Sequence, residues 1–158
     1  MNKLQRWALG AEVISGIAVV VTLIFLVVEM RENTNAIQAQ NYQELMRDIN
    51  RWRSSIRDLE REGLFVRIAE QGSEGVSEGE YLEVRLVFLE LWGIYETAFF
   101  ANERGILGPA EWARFDFMIC RERTSISGEY FASEVRGLPS FEATLTPTFS
   151  EYVRDHCK

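Results

Sequence analysis

The chain has 158 residues, 47% of them apolar, and a formal net charge of −7. That length suits one domain with an appendage, and that apolar share suits a globular core. The negative balance excludes nucleic acid as a natural partner, because phosphate binding needs a basic face.

The first element is the most apolar. From Val13 to Val28 there are sixteen residues without a charge, and twelve of them are Val, Ile, Leu or Phe. Sixteen helical residues rise about 24 Å, short of the roughly 30 Å hydrocarbon core of a bilayer. Adding Trp7 to Glu12 and Glu29 to Met30 gives 24 residues, enough to span. The twelve large side chains favour insertion by roughly 4–7 kcal/mol, and Glu12 opposes it by at most about 3 kcal/mol, less near an interface. The balance predicts a transmembrane helix over residues 7–30, with Trp7 as an interfacial anchor. The alternatives are a buried core helix and a cleaved signal peptide. Lys3 and Arg6 resemble a signal n-region, but the apolar core is long and no A-x-A site follows. The segment therefore reads as a signal anchor, residues 1–30, with a helical domain over 31–158.

Lys3, Arg6 and the amino terminus precede the span, while Arg31 follows it amid Glu29 and Glu32, with no further base until Arg47. The positive-inside rule puts the amino terminus in the cytoplasm and the larger domain outside it. There the two cysteines, Cys120 and Cys157, are free to pair. Within the span, Ala8, Ala11, Ser15, Ala18 and Thr22 recur at spacings of 3 and 4 and make one stripe. Small residues let helices approach closely in lipid. Ala11, Ser15, Ala18 and Thr22, with Glu12 beside them, are the candidate helix-packing interface. Glu12 either bonds to a polar group on a neighbouring helix or reaches the headgroups.

A short polar stretch, "RENTNAIQAQ", follows. From Tyr42 the apolar positions Tyr42, Leu45, Ile49, Trp52, Ile56 and Leu59 alternate by 3 and 4, the seam of a one-sided helix. The other faces carry Arg47, Arg51, Arg53, Arg57 and Arg61 among Asp48, Asp58, Glu60 and Glu62. Such a run reads as a solvated face with local ion pairs, or as a site for acidic lipid. "EQGSEGVSEGE" is the clearest loop, and Ser77 with Glu80 resembles a capping box. A long helix then runs to about Asn102, apolar over more than half its circumference, which makes it the central helix. Glu96 falls among Leu89, Trp92, Phe99 and Phe100. A carboxylate there needs a partner, and Arg51 and Arg47 are the first candidates for a buried ion pair. Gly105 ends this helix, and Gly108-Pro109 opens the next through Trp112, Phe115 and Ile119. "SISGEYFASEVRGL" suggests one more short helix, and "TPTFSEYVRDHC" a final turn or two. No strand pattern competes. The expected fold is all-α: a single N-terminal transmembrane helix followed by a bundle of four or five helices.

Little here carries chemistry. Carboxylate di-metal bundles need Glu-x-x-His pairs, and this chain has one histidine, His156. Cys120 sits among Phe117, Met118 and Ile119 and reads as core packing. Asp155, His156 and Cys157 could hold a metal weakly, though three adjacent residues at a chain end more often fray. No P-loop and no Gly-x-Ser-x-Gly occurs. No catalytic residue, cofactor or metal is expected.

Two stretches together carry a resemblance: the span running into "VEMRENTNAIQAQNYQELMRDIN", and "IYETAFFANERGILGPAEWARF", later followed by "LTPTFSEYV". The chain resembles a widespread, uncharacterised group of short bacterial proteins in which an N-terminal apolar helix leads into a helical domain. Arg31, Asn33 and Thr34 match its Arg-x-Asn-Thr segment. Glu96, Phe99, Phe100, Glu103, Gly105, Ile106, Leu107, Glu111 and Trp112 match its second motif. The resemblance implies a membrane-anchored helical protein of the bacterial inner membrane and no activity. The expected function is thus non-catalytic: an accessory or scaffold subunit whose partners are the lipid bilayer and other membrane-protein helices, or a second copy. The alternative is a membrane-anchored sensor of a small apolar or lipid ligand.

Overall fold

The structure is a computed structural model that describes residues 3–61, 63–125, 128 and 131–157, without the side chains of residues 3–11, 13, 61, 69 and 73. Among the described residues it is all-α, with no strand. The α-helices are α1 (Lys3–Arg61), α2 (Leu64–Gln71), α3 (Glu78–Glu103), α4 (Pro109–Arg123) and α5 (Pro147–His156). The chain divides into two compact units, Met1–Ala39 and Gln40–Lys158.

α1 is one element where the polar stretch 31–40 reads as a connection between two helices. That stretch contains neither glycine nor proline, and its residues are compatible with helix. In the first unit, apolar side chains from Ile14 to Met30 are exposed, from 47% at Leu26 to 70% at Ile14 and Met30. This is the one helix among the described residues long and apolar enough to cross a membrane.

The second unit holds the core. Along α1, Leu45, Ile49 and Leu59 are buried and Tyr42, Trp52 and Ile56 pack against them, the seam read from the sequence. The Trp52 indole donates to the Val87 carbonyl on α3 at 2.8 Å. α2 was not anticipated; α1 stops at Arg61 and α2 begins just after Gly63. α3 buries ten residues, from Tyr81 to Phe99, on several faces, as a central helix must. Its start is a complete capping box: Ser77 Oγ accepts from the Glu80 N–H at 3.3 Å, and Glu80 Oε2 accepts from the Ser77 N–H at 2.8 Å. Its end is a Schellman turn. The Ile106 N–H reaches the Ala101 carbonyl and the Gly105 N–H the Asn102 carbonyl, both at 2.8 Å, with Gly105 left-handed at φ +68. α4 then opens with Pro109 at its first turn.

The short helix expected within 125–138 lies partly outside the described residues. Phe131 and Ala132 are helical, but Val135 to Leu138 form a tight turn instead. Arg136 (φ 53) and Gly137 (φ 73) are both left-handed there, a pairing that a two-residue turn needs and a helix forbids. The Arg136 guanidinium lies 4.5 Å over the Tyr81 ring and donates to the Val76 carbonyl at 3.1 Å, which ties this turn to the start of α3.

The capping box also sets an acid dependence. The Ser77 N–H, the Arg67 guanidinium at 2.5 Å and the Ser77 hydroxyl together hold the Glu80 carboxyl down at about 2, from an ordinary 4.5. A depressed carboxyl stabilises the fold above its unfolded value and loses that contribution as pH falls through its folded value. Wild type is therefore expected to melt above Glu80→Gln at neutral pH. The gap should hold down to about pH 4.5 and close as pH approaches 2. Thermal unfolding followed by circular dichroism across this range is the check, and a constant gap would refute the assignment.

Candidate functional site

The sequence offers two places for function, the small-residue stripe of the apolar N-terminal segment and the polar groups of the helical unit. Along the apolar N-terminal segment, Glu12, Ser15, Ala18 and Thr22 are exposed, and the side chains of Ala11, Ala8 and Trp7 lie outside the described residues. The Thr22 hydroxyl donates to the Ala18 carbonyl at 2.9 Å, which satisfies it inside its own helix. Ile14 (70%), Val21 (60%) and Phe25 (64%), on the other faces, are exposed as well. Exposure within one chain therefore does not single out the stripe. Arg31, Asn33 and Thr34 follow on the same helix and are exposed; Thr34 donates to the Met30 carbonyl at 2.9 Å.

Glu96 is placed differently from the expected ion pair. Arg51 is 67% exposed and pairs with Asp48 one turn away at 3.3 Å, and Arg47 is exposed. Arg53, whose side chain is also exposed, donates to Asn50. Glu96 is only half-buried, and its Oε1 accepts the Thr146 backbone N–H at 2.7 Å. Thr146 is the N-cap residue of α5 and makes no side-chain cap of its own. The carboxylate thus comes from α3 to sit at the positive end of α5, where a helix start needs acceptors and favours negative charge. Half-burial removes the need for an arginine, because solvent shares the charge.

The second resemblance motif is structural in its geometry. Glu103 is exposed in the last turn of α3, Gly105 makes the Schellman turn, and Trp112 packs on Phe99 (6.2 Å between ring centroids) and on Tyr152 (5.9 Å).

A polar cluster lies where α4 meets α5. Cys120 and Cys157 form a disulfide, with 4.7 Å between Cα atoms. Cys120 is thus a covalent clasp and not core packing. Beside it, Tyr152 donates to the Asp116 carboxylate, and His156 Nε2 lies 3.1 Å from Asp116 Oδ1. The Tyr152 and His156 rings stack, 5.0 Å apart and 18° from parallel. Burial, and then the neighbouring Asp116 carboxylate, push the Tyr152 phenol above its ordinary range, so it stays a proton donor. Of the three adjacent residues Asp155, His156 and Cys157, the last two join this cluster; the carboxylate comes from Asp116 instead. Asp116 and Tyr152 were missed in the sequence. The signal was two four-residue spacings, Asp116 to Cys120 and Tyr152 to His156, each of which puts both side chains on one face of a helix.

Comparison of the chain with family models, curated proteins and solved structures finds no match in any of the three.

The cap on α5 yields a measurable expectation. Glu96→Ala removes a charged acceptor from a half-buried helix start and should cost about 1–2 kcal/mol. Glu96→Gln keeps an acceptor and should cost less. Chemical denaturation of the three proteins checks this. A loss of about 3–5 kcal/mol would point back to a buried ion pair.

Proposed function

We propose that the protein is a non-catalytic, single-pass protein of the bacterial inner membrane, an accessory or scaffold subunit whose span packs on other helices. The observation that carries this reading is the apolar run from Ile14 to Met30, whose large side chains are exposed by 47% to 70%. Monomeric soluble proteins rarely leave so long an apolar run open to water, and a bilayer or partner helices remove it from water. The second unit, by contrast, buries most of its large apolar residues between Leu45 and Val153 in a core of its own, with Val66, Leu82, Leu86 and Phe117 left exposed. The resemblance to short membrane-anchored bacterial proteins agrees with this division.

The small-residue stripe at Ser15 and Ala18 supports a packing role for the span. In lipid the hydrophobic effect does not hold helices together, so close approach of small residues does more of it. A ligand sensor has less support. The cavity lined by Glu78, Tyr81, Leu82, Arg136 and Leu138 is about 290 Å³ and carries two charged side chains, and the groove of about 530 Å³ lined by Trp52, Ile56, Phe65 and Phe88 is wide open to solvent. Neither is an enclosed apolar chamber of the kind that buries most of a ligand. The Cys120–Cys157 disulfide supports an extracytoplasmic helical unit, because disulfides persist in oxidising compartments. The positive charges ahead of the span favour the same orientation.

Two measurements test the reading. Full-length protein in membranes should resist carbonate washing. Ser15→Leu and Ala18→Leu should keep it inserted while weakening crosslinking to its partner or to a second copy. Release by carbonate rejects the span, and variants that associate like wild type reject the packing role. Orientation is read from acid-quenched cells treated with an alkylating agent. An extracytoplasmic unit protects both cysteines as the disulfide, whereas alkylation of both in untreated cells places the unit in the cytoplasm.

A further inference from the structure

The cluster at the α4–α5 junction holds more than a disulfide needs. One donor atom each from Asp116, Cys120 and His156 lie within 4.8 Å of one another, and Cys157 is bonded to Cys120. That set is one carboxylate, one imidazole and two sulfurs. Zinc takes four ligands of these kinds, with bonds of about 2.0–2.3 Å. Tetrahedral geometry at those bond lengths puts neighbouring donors about 3.3–3.8 Å apart. His156 Nε2 and Asp116 Oδ1, at 3.1 Å, already lie close to that spacing. The three donors, all within 4.8 Å of one another, need to close by at most about 1.5 Å, within side-chain adjustment for partly exposed groups.

We propose that Asp116, Cys120, His156 and Cys157 form a Zn²⁺ site in the dithiol state of the protein, so that disulfide and metal are alternative clasps between α4 and α5. In the oxidised state the sulfurs are bonded to each other and offer no thiolate. A dithiol reductant delivers two electrons, the S–S bond breaks, each cysteine sulfur gains a proton, and the reductant closes its own disulfide. Zn²⁺ then displaces both thiol protons, which go to solvent. His156 coordinates through Nε2 as the neutral tautomer with its hydrogen on Nδ1, and Nε2 and Asp116 turn from each other to the metal. Two thiolates, a neutral imidazole and a carboxylate give a set whose sulfur content selects zinc over magnesium or calcium.

The surroundings suit this role. Asp116 and Cys120 are one turn apart on α4, so they face the same side. Tyr152 donates to Asp116 and stacks on His156, which orients both. Supporting contacts of this kind set the aim and basicity of metal ligands. Cys157 is the C-cap residue of α5, and its N–H donates to the Val153 carbonyl, which keeps its sulfur at the α4–α5 junction. A disulfide alone explains neither the imidazole held against Asp116 nor the phenol behind it. The proposal is independent of which side of a membrane the helical unit faces.

The test uses the full chain in mild detergent, oxidised and after treatment with a phosphine reductant that is then removed without air. Co²⁺ is the spectroscopic probe, and Zn²⁺ is titrated in competition with a chromophoric chelator. The oxidised chain should bind neither. The reduced chain should bind one ion per chain, with a thiolate-to-cobalt charge-transfer band and the intense ligand-field bands of tetrahedral cobalt. His156→Ala and Asp116→Ala should each lose the tetrahedral bands. Tyr152→Phe should keep them while weakening Zn²⁺ by about 10–100-fold. Absence of the bands overturns the proposal. So does one ion per two chains, and so do bands and affinity unchanged in both alanine variants. Helix content is followed throughout. If the reduced chain loses helix without metal, Zn²⁺ restoring it supports the site, and Zn²⁺ failing to restore it overturns the site.

Discussion

Helix α3 is apolar on so many sides that it must be covered on nearly all of them. Ten of its residues are buried, Trp92, Leu91, Val84 and Ala98 completely. The elements around it are answers to that demand. Along α1, the seam from Leu45 to Leu59 gives one wall. α4 supplies Phe115 and Ile119, and α5 supplies Phe149 and Val153, each 0% exposed. The aromatic rings between them, Phe99 with Trp112, Phe149 and Tyr152, sit at 4.9–6.2 Å centroid spacings, a range in which ring pairs attract beyond their buried area. One charged residue is buried in this wall. Arg85 reaches the Pro139 carbonyl and lies 5.0 Å over the Phe141 ring, so its charge meets an acceptor and a π-face as water is removed.

A core built on one long helix leaves helix ends to be tied down, and here each tie uses different chemistry. The start of α3 is tied by a local capping box reinforced from α2 by Arg67. Its far end is a backbone turn at Gly105. The start of α5 is held by a carboxylate from α3, and its end by a bond to α4. The closing of α4 on α5 is the most chemically loaded of these. A covalent bond and the Tyr152–Asp116–His156 group all act on one turn of each helix, where packing alone would suffice for two amphipathic faces. This concentration of polar and sulfur groups is what makes the junction a place for redox and metal chemistry as well as for stability.

The first unit obeys the opposite rule. The large apolar side chains from Ile14 to Met30 are exposed, and the run contains no proline and a single charged residue, Glu29. A long apolar helix with its side chains exposed is stable only in an apolar surrounding or against other helices, which is the physical basis of the proposal that it spans a membrane.

The sequence by itself determined the features that depend on neighbours along the chain. Periodicity marked the seam from Tyr42 to Leu59 and the all-round apolar α3. The Ser77 and Glu80 spacing marked the capping box, and Gly105 and Pro109 marked an end and a start. These are legible because a helix turns every 3.6 residues and caps itself within a turn. Whether the connection at 31–40 is helical was less legible, since polar helix formers suit either state. Only the tertiary structure decided which distant groups meet. Glu96 among large apolar residues looked buried and in need of an arginine. It lies at the edge of its helix, where the start of α5 arrives with a free N–H. Cys120 within an apolar run looked like packing, and only the approach of α5 brings Cys157 to it. Asp116, Tyr152 and His156 carry no local signal stronger than a four-residue spacing, and their meeting depends on how two helices far apart in sequence cross. Hydrophobic pattern specifies which face of a helix is buried, but it does not encode which residue of another helix lies opposite, because burial is non-directional and only packing sets the register.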